Sequence, residues 1–514
     1  MIEYGQDYLD RPPLKTQVCI VGTGPAGVTL AWFLLQQGID VTLLEGSRVF
    51  SPSGPDQPVN QAYLYNENVL LYNGEALGQF ASNEPQFLIR PTAQSGTSTP
   101  QERERIYGGT STHWGGQSRP LEAITFEQRP GFPGWPVTRE DLDPSYAKAC
   151  TFLELYGDYY APDGTFVPPG TPGYNFTAQF WANELGQSVA QLDGFDVDMY
   201  QFVPGINLQF QAREVEGRTI GESKARVILN ASLLNIEHQG GSVKTLTIGV
   251  LNDDRSQPQA LGDFQIIAHV VVLACGAVAN ARQLLLSGVG SNSGLVGRYL
   301  AAHPIANGAN AVRVNPYSYL TPSEQQLLSY QDPGPKYNPM RFLAGLFTPS
   351  GEALQTTQTG SCWFGAGGTD NFYHELIPEY ESRILLSDTK DIFGQPQTKA
   401  DWVLNAGEPE NFTKLANLFS QGVTAKGGGP VQIGIWAAIQ SRMVYNGHHL
   451  GTTRMAASEQ EGVVDRNLKV FGLDNLYVAG SSVWASPGIE NPTFSIVAFS
   501  IRLAEHLTQR LTGG

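Results

Sequence analysis

Apolar residues recur along this chain with strand or helix period in a few well-separated stretches, joined by long polar stretches of little period. The clearest run is Gln17-Val18-Cys19-Ile20-Val21. It is apolar and β-rich, and it leads through Gly22-Thr23-Gly24-Pro25-Ala26-Gly27 into a helical pattern that lasts to Leu35. A second strand, Asp40 to Leu44, follows and ends in Glu45. Later, Val227-Ile-Leu229-Asn230-Ala231 and Val243-Lys-Thr-Leu-Thr-Ile248 alternate around Gly240-Gly241, which predicts a hairpin. His269 to Ala277 predicts a buried strand reaching a glycine turn, with an Ala/Leu-rich helix from Asn280 to Ser287 behind it. Near the end, Leu476 to Ser481 predicts a short strand, and Asn491-Pro492-Thr493 predicts a helix mouth. Phe50 to Pro100 is rich in Pro, Asn, Gln and Ser, and predicts an irregular excursion with no assigned chemistry. Strands and helices in this mixture predict an α/β fold.

The glycines of the first run carry chemistry. In Gly-x-Gly-x-x-Gly between a strand and a helix, Gly22 makes the tight turn, Gly24 lets backbone approach a pyrophosphate, and Gly27 lets helix and strand pack closely. Thr23, Pro25 and Ala26 complete the turn, and the helix N-terminus faces the phosphates. Glu45 follows Gly27 by 18 residues, where a carboxylate binds both ribose hydroxyls and repels a 2′-phosphate. This much leaves NAD and FAD equally open, because both carry ADP. A second loop, Gly108-Gly109-Thr110-Ser111-Thr112-His113-Trp114-Gly115-Gly116, brings backbone close to a ligand, with a His and a Trp placed to lie against a planar ring.

Bulk properties narrow the function. The formal charge of −16, with no basic run to offset it, argues against nucleic-acid or anionic-membrane partners. The four cysteines, Cys19, Cys150, Cys275 and Cys362, match no zinc or CxxC spacing, so free thiols and no metal site are expected. No apolar run of about 18 residues offers a membrane span. The start of the sequence has neither a basic n-region nor an apolar h-region, so a cytoplasmic location is expected.

The second glycine loop resembles the flavin loop of the glucose-methanol-choline (GMC) oxidoreductases, and Ser111-Thr112-His113-Trp114 is similar to the segment found in pyranose oxidases. The resemblance runs over nearly the whole chain: Gly134-Trp135-Pro136, Gly297-Arg298 to His303-Pro304 with Ala302 where Asp is common, Ser382-Arg383, Asp391 to Pro396, and Asn491-Pro492-Thr493. It implies an FAD-binding Rossmann-like domain interleaved with an α+β substrate domain built on an antiparallel sheet. The FAD domain would take 1–130, 215–304 and 441–514, and the substrate domain 131–214 and 305–440. By the same resemblance Leu233, Cys275, Gly276, Gly480, Ser481, Pro492 and Thr493 join the cofactor residues. His113 is where pyranose oxidases bond the flavin covalently. Because Gly115-Gly116 replaces their Thr-Cys, both a covalent bond and simple packing against the flavin edge stay open.

The resemblance also sets the chemistry. His448 precedes Gly451-Thr452 by the interval of the family's catalytic histidine, and Asn491 lies 43 residues beyond it at the partner position. Oxidising an alcohol requires a base for the hydroxyl proton while hydride leaves carbon for flavin N5, and a donor for the oxygen that develops charge. His448 takes the first role and Asn491 the second, although Asn491 also suits a plain helix N-cap. His449, Trp484 and Glu490, the last where a small residue is common, are candidate substrate contacts. The expected substrate is a sugar, glycoside or other alcohol such as a sterol or aryl alcohol, with dioxygen or another electron acceptor. A redox-silent FAD lyase is the alternative from the same fold, and a NAD-dependent dehydrogenase the alternative from another.

Overall fold

The run ending at Gly22 is an inner strand of a nine-stranded sheet in this computed structural model. The structure describes residues 2–46, 87–89, 107–109, 116–153, 155, 177–202, 219–220, 223–252, 259–290, 292–306, 310–329, 343–369, 372–445 and 448–513. Most of the stretch from Phe50 to Pro100, and Thr110, Ser111, Thr112, His113, Trp114 and Gly115, lie outside the described residues.

Strand Leu14–Val21 lies between Val41–Leu44 and Ala260–Leu273, parallel to both. Ser223–Leu229 and then Ile2–Tyr4 extend the parallel part beyond Val41–Leu44. On the other side, the inner end of Ala260–Leu273 pairs in parallel with Leu476–Val478, and its outer end pairs antiparallel with Ser242–Leu251. Val18, Cys19, Ile20, Val271 and Val272 are fully buried, as strands covered on both faces require. Helix Pro25–Gln36 opens with proline in its first turn, where the missing N–H is no loss. A Cβ on Gly27 would stand 1.9 Å from the Gly22 carbonyl oxygen, so only glycine lets this helix sit so close to its strand.

The hairpin expectation needs a correction. Val227 to Leu229 belong to the parallel strand Ser223–Leu229, not to a hairpin arm. The hairpin is Ala231–Gln239 with Ser242–Leu251, turned at Gly240 and Gly241, both at positive φ. Asn230, at φ 55°, breaks the run: a left-handed residue redirects the chain from the parallel to the antiparallel part while the apolar alternation continues through it. The helix expected from Asn280 begins three residues earlier, at Ala277.

The remaining strands form short ladders. Among the described residues they form four three-stranded sheets: Phe195–Phe202 with Gln117–Ser118 and Leu343–Pro349; Pro304–Ala306 with Phe372–Tyr373 and Met443–Tyr445; Val312–Arg313 with Gly368–Thr369 and Gln432–Ile433; and Arg383–Lys390, Pro396–Trp402 and Phe87–Ile89. All pairs are antiparallel except that of Phe87–Ile89. Single bridges such as Phe347–Phe364 and Cys362–His374 join neighbouring pieces. Several aromatics of this region are core: Phe364 stacks on Phe419 of helix Glu408–Ala425 at 4.4 Å, with Phe195 and Phe347 around them, and Trp402 is buried. Tyr317 is exposed.

The long C-terminal helix, Pro492–Thr512, packs against Pro25–Gln36 and Arg139–Phe152. Tyr146 meets Phe494 ring to ring at 5.2 Å and shares a 2.8 Å hydrogen bond with Ser495. Among the described residues no helix is long and apolar enough to cross a membrane.

Candidate active site

Three turns meet at the carboxyl ends of the parallel strands, where an α/β sheet offers its crevice. The first is Gly22 to Gly27. Gly22 adopts φ 107°, and the space where a Gly24 side chain would stand is open for 4 Å. The second is Cys275-Gly276, at the end of Ala260–Leu273. Gly276, at φ 80°, likewise faces open space, and the Cys275 Sγ–H donates to the Val21 carbonyl at 3.1 Å. The third is Gly480-Ser481, after Leu476–Val478. Asn280 ties the last two together: its side chain accepts from the Cys275 N–H at 2.9 Å and donates to the Ala479 carbonyl and Ser482 Oγ, both at 3.0 Å.

Glu45 closes the crevice at the end of Val41–Leu44, buried and accepting from the Thr23 hydroxyl. Thr23 Oγ1 in turn accepts from the Gly108 N–H at 3.2 Å, and a Cβ on Gly109 would come within 3.0 Å of the Gly24 Cα. Both glycine loops therefore share one wall. Gly116, at φ 73°, resumes the chain beyond the loop. Leu233 is buried in the hairpin, paired with Ile248. The open space at Gly24, the buried carboxylate of Glu45 and the helix mouth at Pro25 and Ala26 fit an ADP-bearing cofactor. Gly22, Gly24 and Pro25 would face its phosphates and Glu45 its ribose.

His448 is positioned by a backbone bridge. Ala301 and Leu450 pair antiparallel, with hydrogen bonds of 3.1 and 2.8 Å, so residues two places further along, 303 and 448, stand opposite each other. Their rings meet edge to face at 5.4 Å, with the two Nδ1 atoms 3.3 Å apart. His448 is half-buried. Burial first, then the neighbouring His303 and His449, pull its pKa well below the ordinary imidazole value. His449 is buried, and its carbonyl accepts from Ser481 Oγ at 2.7 Å, which joins the histidine segment to the third turn.

Asn491 stands at the mouth of Pro492–Thr512, with Pro492 buried in the first turn and Thr493 partly exposed. Its side chain makes no capping bond, and Oδ1 is buried without a hydrogen-bond partner among the described residues. An amide held this way is available to a ligand.

The other two candidate substrate contacts turn inward. Glu490 is fully buried. One carboxylate oxygen accepts from Arg119 Nη1 and from the Glu122 N–H, both at 3.0 Å, and the other from the Ile489 N–H at 3.1 Å. Burial, only partly offset by Arg119, pushes its pKa up to about 7. Trp484 packs in the core between Trp135 and Phe499, at 5.8 and 5.4 Å. Sequence reasoning overlooked the supports of the segment before Asn491. The carbonyls of Pro487 and Gly488 face His303 Nε2 at 3.3 and 2.9 Å, and the Gly488 N–H donates to Glu375 at 3.1 Å. Glu375 is clamped by Arg129 Nη2 at 2.9 and 3.0 Å. His303-Pro304 was visible as a dipeptide of the family pattern, but nothing in the sequence showed what it faces. Among the described residues no cluster suits a metal ion.

Residues 378–500 match the family model described as GMC oxidoreductase, and residues 15–61 one described as FAD binding domain. The chain is 23% identical to 2-methyl-1,2-propanediol dehydrogenase of Mycolicibacterium austroafricanum, over 97% of this chain and 96% of that one. It is 24% identical to pyranose 2-oxidase of Lyophyllum shimeji, over 50% and 47% of the two chains. Among solved structures, formate oxidase of Aspergillus oryzae shares the fold with a TM-score of 0.60 at 16% identity, covering 98% of this chain and 99% of that one.

Proposed function

This chain belongs to the GMC oxidoreductases and its cofactor is FAD; on that premise we propose that it oxidises a CH–OH group of a small alcohol or sugar, with His448 as base and Asn491 as its complement. Bound FAD supplies the acceptor for the hydride that leaves carbon. The observation that carries the reading is the placement of His448, held against His303 by the Ala301–Leu450 bridge and joined through His449 to the third turn of the crevice. An imidazole kept uncharged near neutral pH is ready to take a hydroxyl proton. As that proton leaves, charge grows on the substrate oxygen, and the Asn491 amide, whose side chain makes no capping bond, would steady it by donating from Nδ2. Gly22, Gly24, Glu45, Gly108, Gly109, Gly276 and Gly480 hold the cofactor. His449 walls the pocket, and Glu490 acts by positioning, since its oxygens are committed to Arg119 and backbone N–H groups.

The substrate-side boundaries are part of the same proposal, with 131–214 and 305–440 forming the cover. Helix Arg139–Phe152 would then be a piece of the cover that rests on the C-terminal helix of the FAD domain. The relatives named for a diol and for a pyranose favour a polyhydroxylated substrate of modest size.

The test is anaerobic mixing with a panel of diols, sugars and aryl alcohols while following flavin absorbance. A member of the panel bleaches the band, and His448→Ala slows that bleaching by at least about 10²-fold. Cleavage of a cyanohydrin-like compound without bleaching would replace this reading by a lyase, and an unchanged rate in His448→Ala would remove His448 as base.

A further inference from the structure

We infer that His303 is a positioning residue that sets the tautomer of His448, placing the proton of that ring on Nδ1 and the lone pair on Nε2, toward the substrate. The inference rests on the reading of His448 as base and adds how the base is prepared. The argument is one of donors and acceptors. His303 Nε2 lies 2.9 Å from the Gly488 carbonyl and 3.3 Å from that of Pro487. Carbonyl oxygens only accept, so Nε2 carries the proton and donates it. The ring is completely buried, and burial pulls its pKa down to about 4, so it is neutral and its Nδ1 is an acceptor. The Nδ1 of His448 stands 3.3 Å away, and two lone pairs at that distance repel, so the shared hydrogen belongs to His448 Nδ1. Nε2 of His448 is then the basic nitrogen.

This order of protons runs in one direction: from His448 Nδ1–H to His303 Nδ1, and from His303 Nε2–H to the Gly488 carbonyl. When Nε2 of His448 takes the hydroxyl proton, the O–H bond breaks and an N–H bond forms. The ring becomes a cation with both nitrogens protonated, and the bond to His303 strengthens because its donor is now charged. His303 gains and loses no proton. Its anchor is the 487–488 segment, which leads within three residues to Asn491, so base and complement hang from one piece of backbone.

The test uses the FAD-loaded enzyme with ¹⁵N-labelled histidine, the two rings being assigned by comparison with His448→Gln and His303→Asn. The ring nitrogens are expected to show His448 protonated at Nδ1 and His303 at Nε2 near neutral pH. Resting enzyme with His448 protonated at Nε2, or with His303 protonated at Nδ1, overturns the inference, whatever the substrate turns out to be. In the kinetic arm, His303→Asn keeps an oxygen acceptor for His448 and holds the flavin-reduction rate within about tenfold. His303→Leu lets the ring take the wrong tautomer and loses about 10²- to 10³-fold, toward the 10⁴-fold seen when a catalytic histidine is mis-set in serine proteases. Unchanged reduction by His303→Leu also overturns it. If that variant does not fold, the wild-type spectrum still decides. Failure of the proposed function shows separately, as absence of bleaching with every alcohol.

Discussion

The glycine crevice at the sheet and the segments that carry His303 and Asn491 are held by different forces. Around Gly22, Gly27 and Gly109 the fit is steric: backbone lies against backbone at distances no Cβ tolerates, inside strands that are apolar on both faces. Around His303 and Asn491 the fit is electrostatic. Arg129 clamps Glu375, Arg119 gathers Glu490 and Asp198, and His374 meets Glu408 at 2.9 Å, all in the interior. The first arrangement is indifferent to pH and intolerant of volume. The second depends on every charge keeping its partner, because a buried ion left alone costs far more than a well-made pair gains.

That contrast is strongest at Gly27. In Gly27→Val the new side chain meets the Gly22 carbonyl, a backbone group that cannot swing away. The expected loss exceeds about 4 kcal/mol, with little FAD retained, read from thermal unfolding and the flavin content of purified protein. Near-normal stability would show that the crevice yields.

Arg129→Met comes next and probes the support of the segment before Asn491. It leaves Glu375 buried against only the N–H groups of Ser361 and Gly488, at an expected cost of about 3–5 kcal/mol by denaturant unfolding. Because Gly488 also receives His303, flavin reduction falls further than stability alone explains. A loss under about 1 kcal/mol would mean that the clamp is not electrostatic.

The smallest effect, and the sharpest, is a slope. Glu490 has a folded pKa of about 7 against an ordinary 4.5, so the folded state binds more protons between those values. Its contribution to stability is therefore present at low pH and declines as pH rises from 4.5 to 7. His303 and His448, both depressed from 6.5, act in the opposite sense: the unfolded chain binds their protons, so stability rises with pH up to about 6.5. Glu490→Gln removes only the first trend. The difference in melting temperature between variant and wild type should move in the variant's favour from pH 4.5 to 7 and level off above. A difference that is flat over that range would mean that the glutamate is ionised throughout.

What could be read without the structure follows the same division. Strand, glycine turn, helix and second strand were legible because each is a local pattern, and the steric reason for Gly27 needs only its neighbours in the motif. Asn230 was misread because apolar alternation runs across it unbroken while the backbone reverses hand. The buried polar contacts were illegible for a different reason. Arg119 and Glu490 are 371 residues apart, Arg129 and Glu375 are 246 apart, and His303 and His448 are 145 apart. A carboxylate beside a candidate active-site amide suggests recognition of substrate until the arginine that owns it is seen. Asn491 remained open between cap and donor because both uses want the same residue at the same place.

The strand Leu476–Val478 has one more consequence, in time rather than space. It docks on Val271 to Leu273, and just over two hundred residues, including the whole run from 305 to 440, are synthesised between the two partners. A ribosome releasing the chain from its N-terminus exposes the apolar edge of the central strand long before its neighbour exists. Until residue 478 emerges, the third turn, His448's link to it and the helix that begins at Asn491 have no sheet to rest on. Newborn chains of this protein therefore carry an unfinished cofactor crevice until the last strand of its sheet emerges.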